Sequence, residues 1–173
     1  MSIYQEGYDA YNRGDYDTAL KEWRPLAEQG FALSQFNLGV MYHQGHGVPK
    51  DYAEAMKWYR LAADQGHTNA QTNLGVMYHL GHGVPQDYTE AVKWYRLLAE
   101  QGDATAQHNL GLMYAKGQGV AQNYIQAYMW ETLAAAQGNE KAVKRLELLE
   151  KSMTLDELAE AQRLAREWKA KGK

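Results

Sequence analysis

The chain repeats itself every 36 residues, and this constrains its fold more than any other feature. Residues 31–66 match residues 67–102 at about 25 of 36 positions, and residues 103–138 follow at about half identity. Marker residues recur in step: Leu38, Leu74 and Leu110; Gly39, Gly75 and Gly111; Tyr42, Tyr78 and Tyr114; Ala55, Ala91 and Ala127; Trp58, Trp94 and Trp130; Gly66, Gly102 and Gly138. Near-copies in register are the signature of a repeat protein, in which each unit buries its apolar face only by stacking on its neighbours.

Each unit reads as two helices. In the first, Ser34, Leu38, Met41/Tyr42 and Gly45 follow the amphipathic helical period. Gly45-His-Gly47-Val-Pro49 then breaks it, because glycine closes a helix in the left-handed region and proline cannot continue one. Asp51, Asp87 and Asn123 occupy the N-cap of the second helix, which carries Ala55, Trp58/Tyr59, Ala62 and Ala63 inward and ends at Gly66. Gly39 and Ala55 are expected at a close helix crossing, with Tyr42 and Trp58 filling the space between successive pairs.

The ends depart from this pattern, as terminal repeats must. Residues 1–30 read as a shortened first unit in which Tyr11-Asn-Arg-Gly-Asp-Tyr16 omits the glycine loop, while Ala19, Leu20, Trp23 and Ala27 keep the second helix. After Gly138 the pattern decays into Ala142, Leu146 and Leu149. Thr154-Leu-Asp-Glu157 is a capping box that opens a last helix with Leu158, Ala161, Ala165 and Trp168 on one side. The expected organisation is a single repeat domain over 1–173: a short repeat at 1–30, full repeats at 31–66, 67–102 and 103–138, and a helical cap at 139–173.

Composition narrows the function. The net charge is −3 and no basic stripe stands out, so nucleic acid is not an expected partner. No apolar run approaches the roughly 20 residues that span a bilayer, so no membrane insertion is expected. Cysteine is absent, which removes disulfides, thiolate metal sites and a cysteine nucleophile. The polar start of the chain lacks the pattern of a signal peptide, so it reads as soluble and cytoplasmic as it stands, or periplasmic after removal of a leader.

The pattern Leu38-Gly-x-Met-Tyr42-x-x-Gly-x-Gly-Val48, followed by Asp51-Tyr-x-x-Ala-x-x-Trp-Tyr-x-x-Ala-Ala-x-x-Gly66, resembles the Sel-one-like repeat, a longer-looped relative of the tetratricopeptide repeat. The resemblance covers all three full units and, loosely, residues 7–30. It implies an all-α superhelical solenoid, with right-handed stacking of antiparallel helix pairs, that acts as a bacterial adaptor linked to the envelope, signalling or host contact. The chain departs from one branch of that family in lacking paired cysteines. Ala121 replaces the proline of Pro49 and Pro85, and Glu131 replaces Tyr59 and Tyr95, a change expected to alter the third unit's outer surface.

Several motifs carry candidate chemistry. His43/His46 and His79/His82 are two His-x-x-His pairs able to share a divalent metal, but no carboxylate or cysteine completes the set. The preferred reading is a duplicated helix end with solvated histidines, and no metal or other cofactor is expected. Gly45-x-Gly47 and its copies lack the strand and the longer glycine pattern of a phosphate cradle. The row of Trp23, Trp58, Trp94 and Trp130 matches the packing period better than a sugar-stacking track. Glu54–Lys57 and Glu90–Lys93 are solvated helix pairs. An enzyme needs one singular constellation, and this chain mostly repeats itself.

The free face of the first helices is the stronger candidate. Phe36, Asn37, Val40 and His43 share one side of a helix, as do Thr72, Asn73, Val76 and His79, and then His108, Asn109 and Leu112. In superhelices of this type the first helices line the concave side, so these residues form an expected groove floor for a protein or peptide partner. Asn37, Asn73 and Asn109 make a ladder of amides able to pair with a bound backbone, or alternatively to bridge neighbouring helices. The chain therefore reads as a non-enzymatic adaptor. The alternatives are a cell-envelope hydrolase or ligand-binding protein using the histidines or a metal, and a weak homo-oligomer stacked through its end helices.

Overall fold

The computed structural model describes residues 2–171, which form ten helices and no strand. In chain order these are α1 (Ile3–Asn12), α2 (Tyr16–Glu28), α3 (Ala32–Gln44), α4 (Tyr52–Asp64), α5 (Thr68–Leu80), α6 (Tyr88–Glu100), α7 (Ala104–Lys116), α8 (Tyr124–Ala136), α9 (Glu140–Glu150) and α10 (Leu155–Glu167). The fold is an all-α repeat of stacked helix pairs. It divides into two compact units, one ending at Gln86 and the other starting at Asp87.

The local signals fix the helix ends. Asp51, Asp87 and Asn123 each accept a hydrogen bond from the backbone N–H three residues on, at 3.0, 3.1 and 3.0 Å. Thr154 and Glu157 close the capping box in both directions. Gly45, Gly81 and Gly117 end α3, α5 and α7 with φ of 76°, 72° and 67°, a region that a side chain would strain.

In the first unit α1 pairs with α2 and α3 with α4, while α3 stacks on α2 and α5 on α4. Ala10, Ala19, Trp23 and Met41 form its N-terminal core, flanked by Tyr4, Tyr11, Tyr16 and Leu20. In the second unit α7 pairs with α8, α6 packs on α7, and α9 and α10 close on α8. There Ala115, Ala127, Tyr128, Leu149 and Ala161 are buried together, with Leu146 and Leu158 against them, so the last helices serve as a lid on this core.

Two packing expectations need correction. On the second helix the buried aromatic is Tyr59, with Tyr95 in its place one repeat on, while Trp58 and Trp94 are only half-buried. Trp23 lies 36 residues before Tyr59 and belongs to that position, not to the row of Trp58. The glycine of the first helix is accordingly required by a ring and not by a backbone crossing. A Cβ at Gly39 would sit 2.6 Å from the Tyr59 ring, and one at Gly7 would sit 2.4 Å from the Trp23 indole. The second correction concerns Glu131, which lies at 0% exposure under Gly111 and not on an outer surface.

Candidate functional site

The exposed side of the first helices is shaped by what holds each helix in place. Buried glutamines dock each first helix onto the helix before it: Gln35 donates to the Ala27 carbonyl at 3.1 Å, Gln71 to Ala63 at 3.1 Å, and Gln107 to Ala99 at 3.2 Å. Gln65 and Gln137 then donate to the Gln35 and Gln107 amide oxygens, at 2.8 and 2.9 Å. These glutamines were legible as polar residues identical in every copy, a pattern that signals an obligatory buried hydrogen bond. Arg24, Arg60 and Arg96 donate to the hydroxyls of Tyr42, Tyr78 and Tyr114.

In the first unit, Phe36, Asn37, Val40 and His43 lie together on α3 and are half-buried, as are Thr72, Asn73, Val76 and His79 on α5. The Phe36 ring stacks on His67 at 4.6 Å and leans on Tyr59 at 5.8 Å. Its neighbour Leu33 remains 45% exposed. The amides do not stand free as a ladder: Asn37 donates to the Tyr4 hydroxyl at 2.9 Å, and Asn73 bonds the Tyr59 hydroxyl. Thr72 donates back to the Thr68 carbonyl at 3.0 Å. Burial pushes the Tyr59 phenol far up, so it stays protonated and serves as a packing group.

The histidine pairs separate into two roles. His43 sits against the edge of Tyr52 and within 3.4 Å of the Tyr59 hydroxyl, and burial holds its imidazole below the ordinary range. His46 stacks flat on Tyr16 at 4.4 Å and shares a 2.8 Å hydrogen bond with Tyr11. His82 stacks on Tyr52 at 4.6 Å in the same way. The second histidine of each motif is thus a loop residue whose ring face packs on the tyrosine that opens a preceding second helix. Among the described residues no three His, Asp or Glu side chains group as metal ligands.

In the second unit Asn109 and Leu112 are half-buried on α7, but His108 is buried where Phe36 and Thr72, at the same place in the other copies, are half-buried. It is 8% exposed and its Nδ1 lies 2.8 Å from Oε2 of the buried Glu131. Burial raises the Glu131 carboxyl above its ordinary range, while the hydrogen bond with His108 and the charges of His108 and Arg145 pull the other way. This pair breaks the repeat at two positions on two helices. Beside it, Thr105, His108, Asn109 and Leu112 of α7 and Asn139, Glu140 and Lys141 at the start of α9 line an open hollow of about 530 Å³.

A second hollow of about 370 Å³ lies in the first unit between Ile3, Tyr4, Leu26, Phe31 and Leu33 and is almost wholly apolar. Among the described residues no helix is long and apolar enough to cross a membrane.

These features have close counterparts in known proteins. The Sel1 repeat family model matches residues 32–67, 68–103 and 104–139. The crystal structure of c5321, a protective antigen of uropathogenic Escherichia coli displaying an SLR fold, is similar at 38% identity and a TM-score of 0.84. That alignment covers 95% of this chain but 37% of the other, so the chain spans just over a third of that relative. A Sel1 repeat protein from Oxalobacter formigenes is 43% identical over 75% of this chain and 97% of its own, with a TM-score of 0.66. Cysteine rich protein B of Helicobacter pylori, 21% identical with a TM-score of 0.58 over 76% of this chain and 95% of its own, shares the fold. No curated protein matches the chain significantly. Repeat register, helix-pair architecture and these likenesses agree, and the chain belongs to the Sel1 repeat family.

Proposed function

We propose that the chain is a non-catalytic scaffold that holds a protein or peptide partner against the outward side of its first helices. The Sel1 repeat fold is generally a protein-interaction scaffold. The observation that supports the finer reading is that one helical position carries a half-buried apolar side chain in each copy: Val40 on α3 and Val76 on α5 in the first unit, and Leu112 on α7 in the second. Phe36 and the exposed Leu33 extend the apolar surface on α3. A partner covering these residues gains affinity from apolar burial, while the glutamine and arginine bonds keep the supporting helices rigid. The amides of Asn37 and Asn73 support the face from beneath through tyrosine hydroxyls, so apolar contact and not an amide ladder supplies the recognition.

The test is capture of a partner from the native organism by the tagged protein, compared with Val76→Glu. The variant places a charge on the half-buried face without entering the core, so it should lose the partner while keeping its helicity and melting temperature. Equal capture by both proteins would move the partner site away from α5.

A further inference from the structure

In the second unit the repeats disagree at two positions that touch each other, and the pair sits beside a partly polar hollow. Position 131 is Tyr59 and Tyr95 in the other copies, and position 108 is Phe36 and Thr72. Here the two become a carboxyl and an imidazole joined at 2.8 Å. Glu131 is wholly buried, and its Oε1 makes no hydrogen bond among the described residues. A buried, incompletely bonded acid is an expensive way to fill a space that an aromatic ring fills in the other copies. What the pair does secure is the orientation of His108.

With Nδ1 held by Glu131, Nε2 is the ring nitrogen left for a ligand, and it carries the ring hydrogen in the arrangement where the buried Glu131 keeps its proton and donates it to Nδ1. The rest of the hollow is rich in donors. Asn109 and Asn139 bring amide groups, and Asn139 already commits its Oδ1 to the Ala142 N–H at 3.0 Å, leaving its NH₂. Thr105 brings a hydroxyl and Lys141 an ammonium, and the first turn of the eleven-residue α9 adds free backbone N–H groups. The opposing charge is Glu140, an exposed residue able to turn to solvent, and Leu112 supplies an apolar wall.

We propose that this hollow receives an acidic side chain of the bound partner, with Nε2 of His108 and the Asn109 amide as its inner donors and Lys141 at the rim. The proposal rests on the scaffold reading, since a partner backbone that runs on along the α7 face presents a side chain here and not its terminus. Glu131 is a positioning residue: it fixes the imidazole and does not touch the ligand.

The experiment uses the full chain, labelled with nitrogen-15, titrated with three small probes. N-acetyl-glutamate α-methylamide carries a side-chain carboxylate, N-acetyl-glutamine α-methylamide is its uncharged match, and N-acetylglycine carries only a terminal carboxylate. The glutamate probe should give saturable shifts of the Asn109 and Asn139 side-chain amides and the Lys141 backbone amide, with binding at least about tenfold tighter than the glutamine probe. Lys141→Glu, at an exposed position that tolerates either charge, should abolish the response while circular dichroism stays unchanged. Equal response to the glutamate and glutamine probes, binding of N-acetylglycine alone, or an unchanged response in Lys141→Glu would each overturn the proposal. The titration needs no partner protein, so it stands or falls separately from the capture experiment.

Discussion

Tyr59 lies over Gly39 so closely that a Cβ on the glycine would meet the ring carbons Cδ1 and Cε1 at 2.6 Å. The same relation joins Trp23 to Gly7. Each helix pair of the first unit is therefore locked by a ring set into the backbone of the first helix, and the absence of one side chain makes room for the largest one nearby.

Gly39→Val should destabilise the protein by at least the ~1–3 kcal/mol typical of overpacking, because the ring it meets is itself 1% exposed and has nowhere to turn. Gly111→Ala should cost less. The atoms it meets, Cγ, Cδ and Oε1 of Glu131, lie at 2.9–3.0 Å and not at the 2.6 Å of the Tyr59 ring. Urea unfolding of both variants checks the order, and an equal or reversed ranking would mean that the ring is not the obstacle.

The sequence carried the repeat period, the helix pairs, the caps and the glycine boundaries, because each is written in residues with one strong local role. It did not separate Trp58 from Tyr59. Adjacent positions lie about 100° apart on a helix, so periodicity alone leaves either able to border the core. Position 131 carries no sign of burial in the sequence, since a carboxylate is rarely buried unless paired. Its partner His108 lies 23 residues earlier on another helix, and only packing joins them. The site residues of α3 and α5 were placed on one side by spacing, but the tyrosines that occupy Asn37 and Asn73 could not be read from spacing.

Gln35→Ala should cost about 1–3 kcal/mol, the penalty for leaving a buried polar group without its partner. The substitution removes the bond to the Ala27 carbonyl and the acceptor that Gln65 uses. Gln65→Ala should cost less, since that side chain is exposed and water can replace it at the Gly30 carbonyl. Thermal melts of the two variants test this, and equal losses would indicate that the two glutamines act only as a unit.

Zinc and nickel titrated calorimetrically into the untagged protein should show no stoichiometric tight binding. The rings of His46 and His82 are stacked on Tyr16 and Tyr52, and Nδ1 of His46 is hydrogen-bonded to Tyr11. A metal would have to displace these contacts with at most two imidazoles per motif in return. Tight binding lost in a His43→Ala/His79→Ala double variant would reverse this reading.

The buried acid gives a pH dependence of definite sign. Unfolded, the Glu131 carboxyl titrates near its ordinary value of 4.5, whereas in the fold burial keeps its proton to higher pH. Between those two points the native state binds more protons than the unfolded state, so the contribution of Glu131 to stability falls as pH rises through the interval. Glu131→Gln keeps the shape and a hydrogen-bonding group but cannot titrate. The stability of the wild-type chain relative to this variant should therefore decline as pH is raised from the ordinary carboxyl value, and level off above the raised pKa of Glu131. Urea melts of both proteins across that range provide the measurement. A difference that instead grows with pH would show that His108 and Arg145 hold Glu131 as a stabilised carboxylate, with its pKa depressed by attraction and not raised by burial.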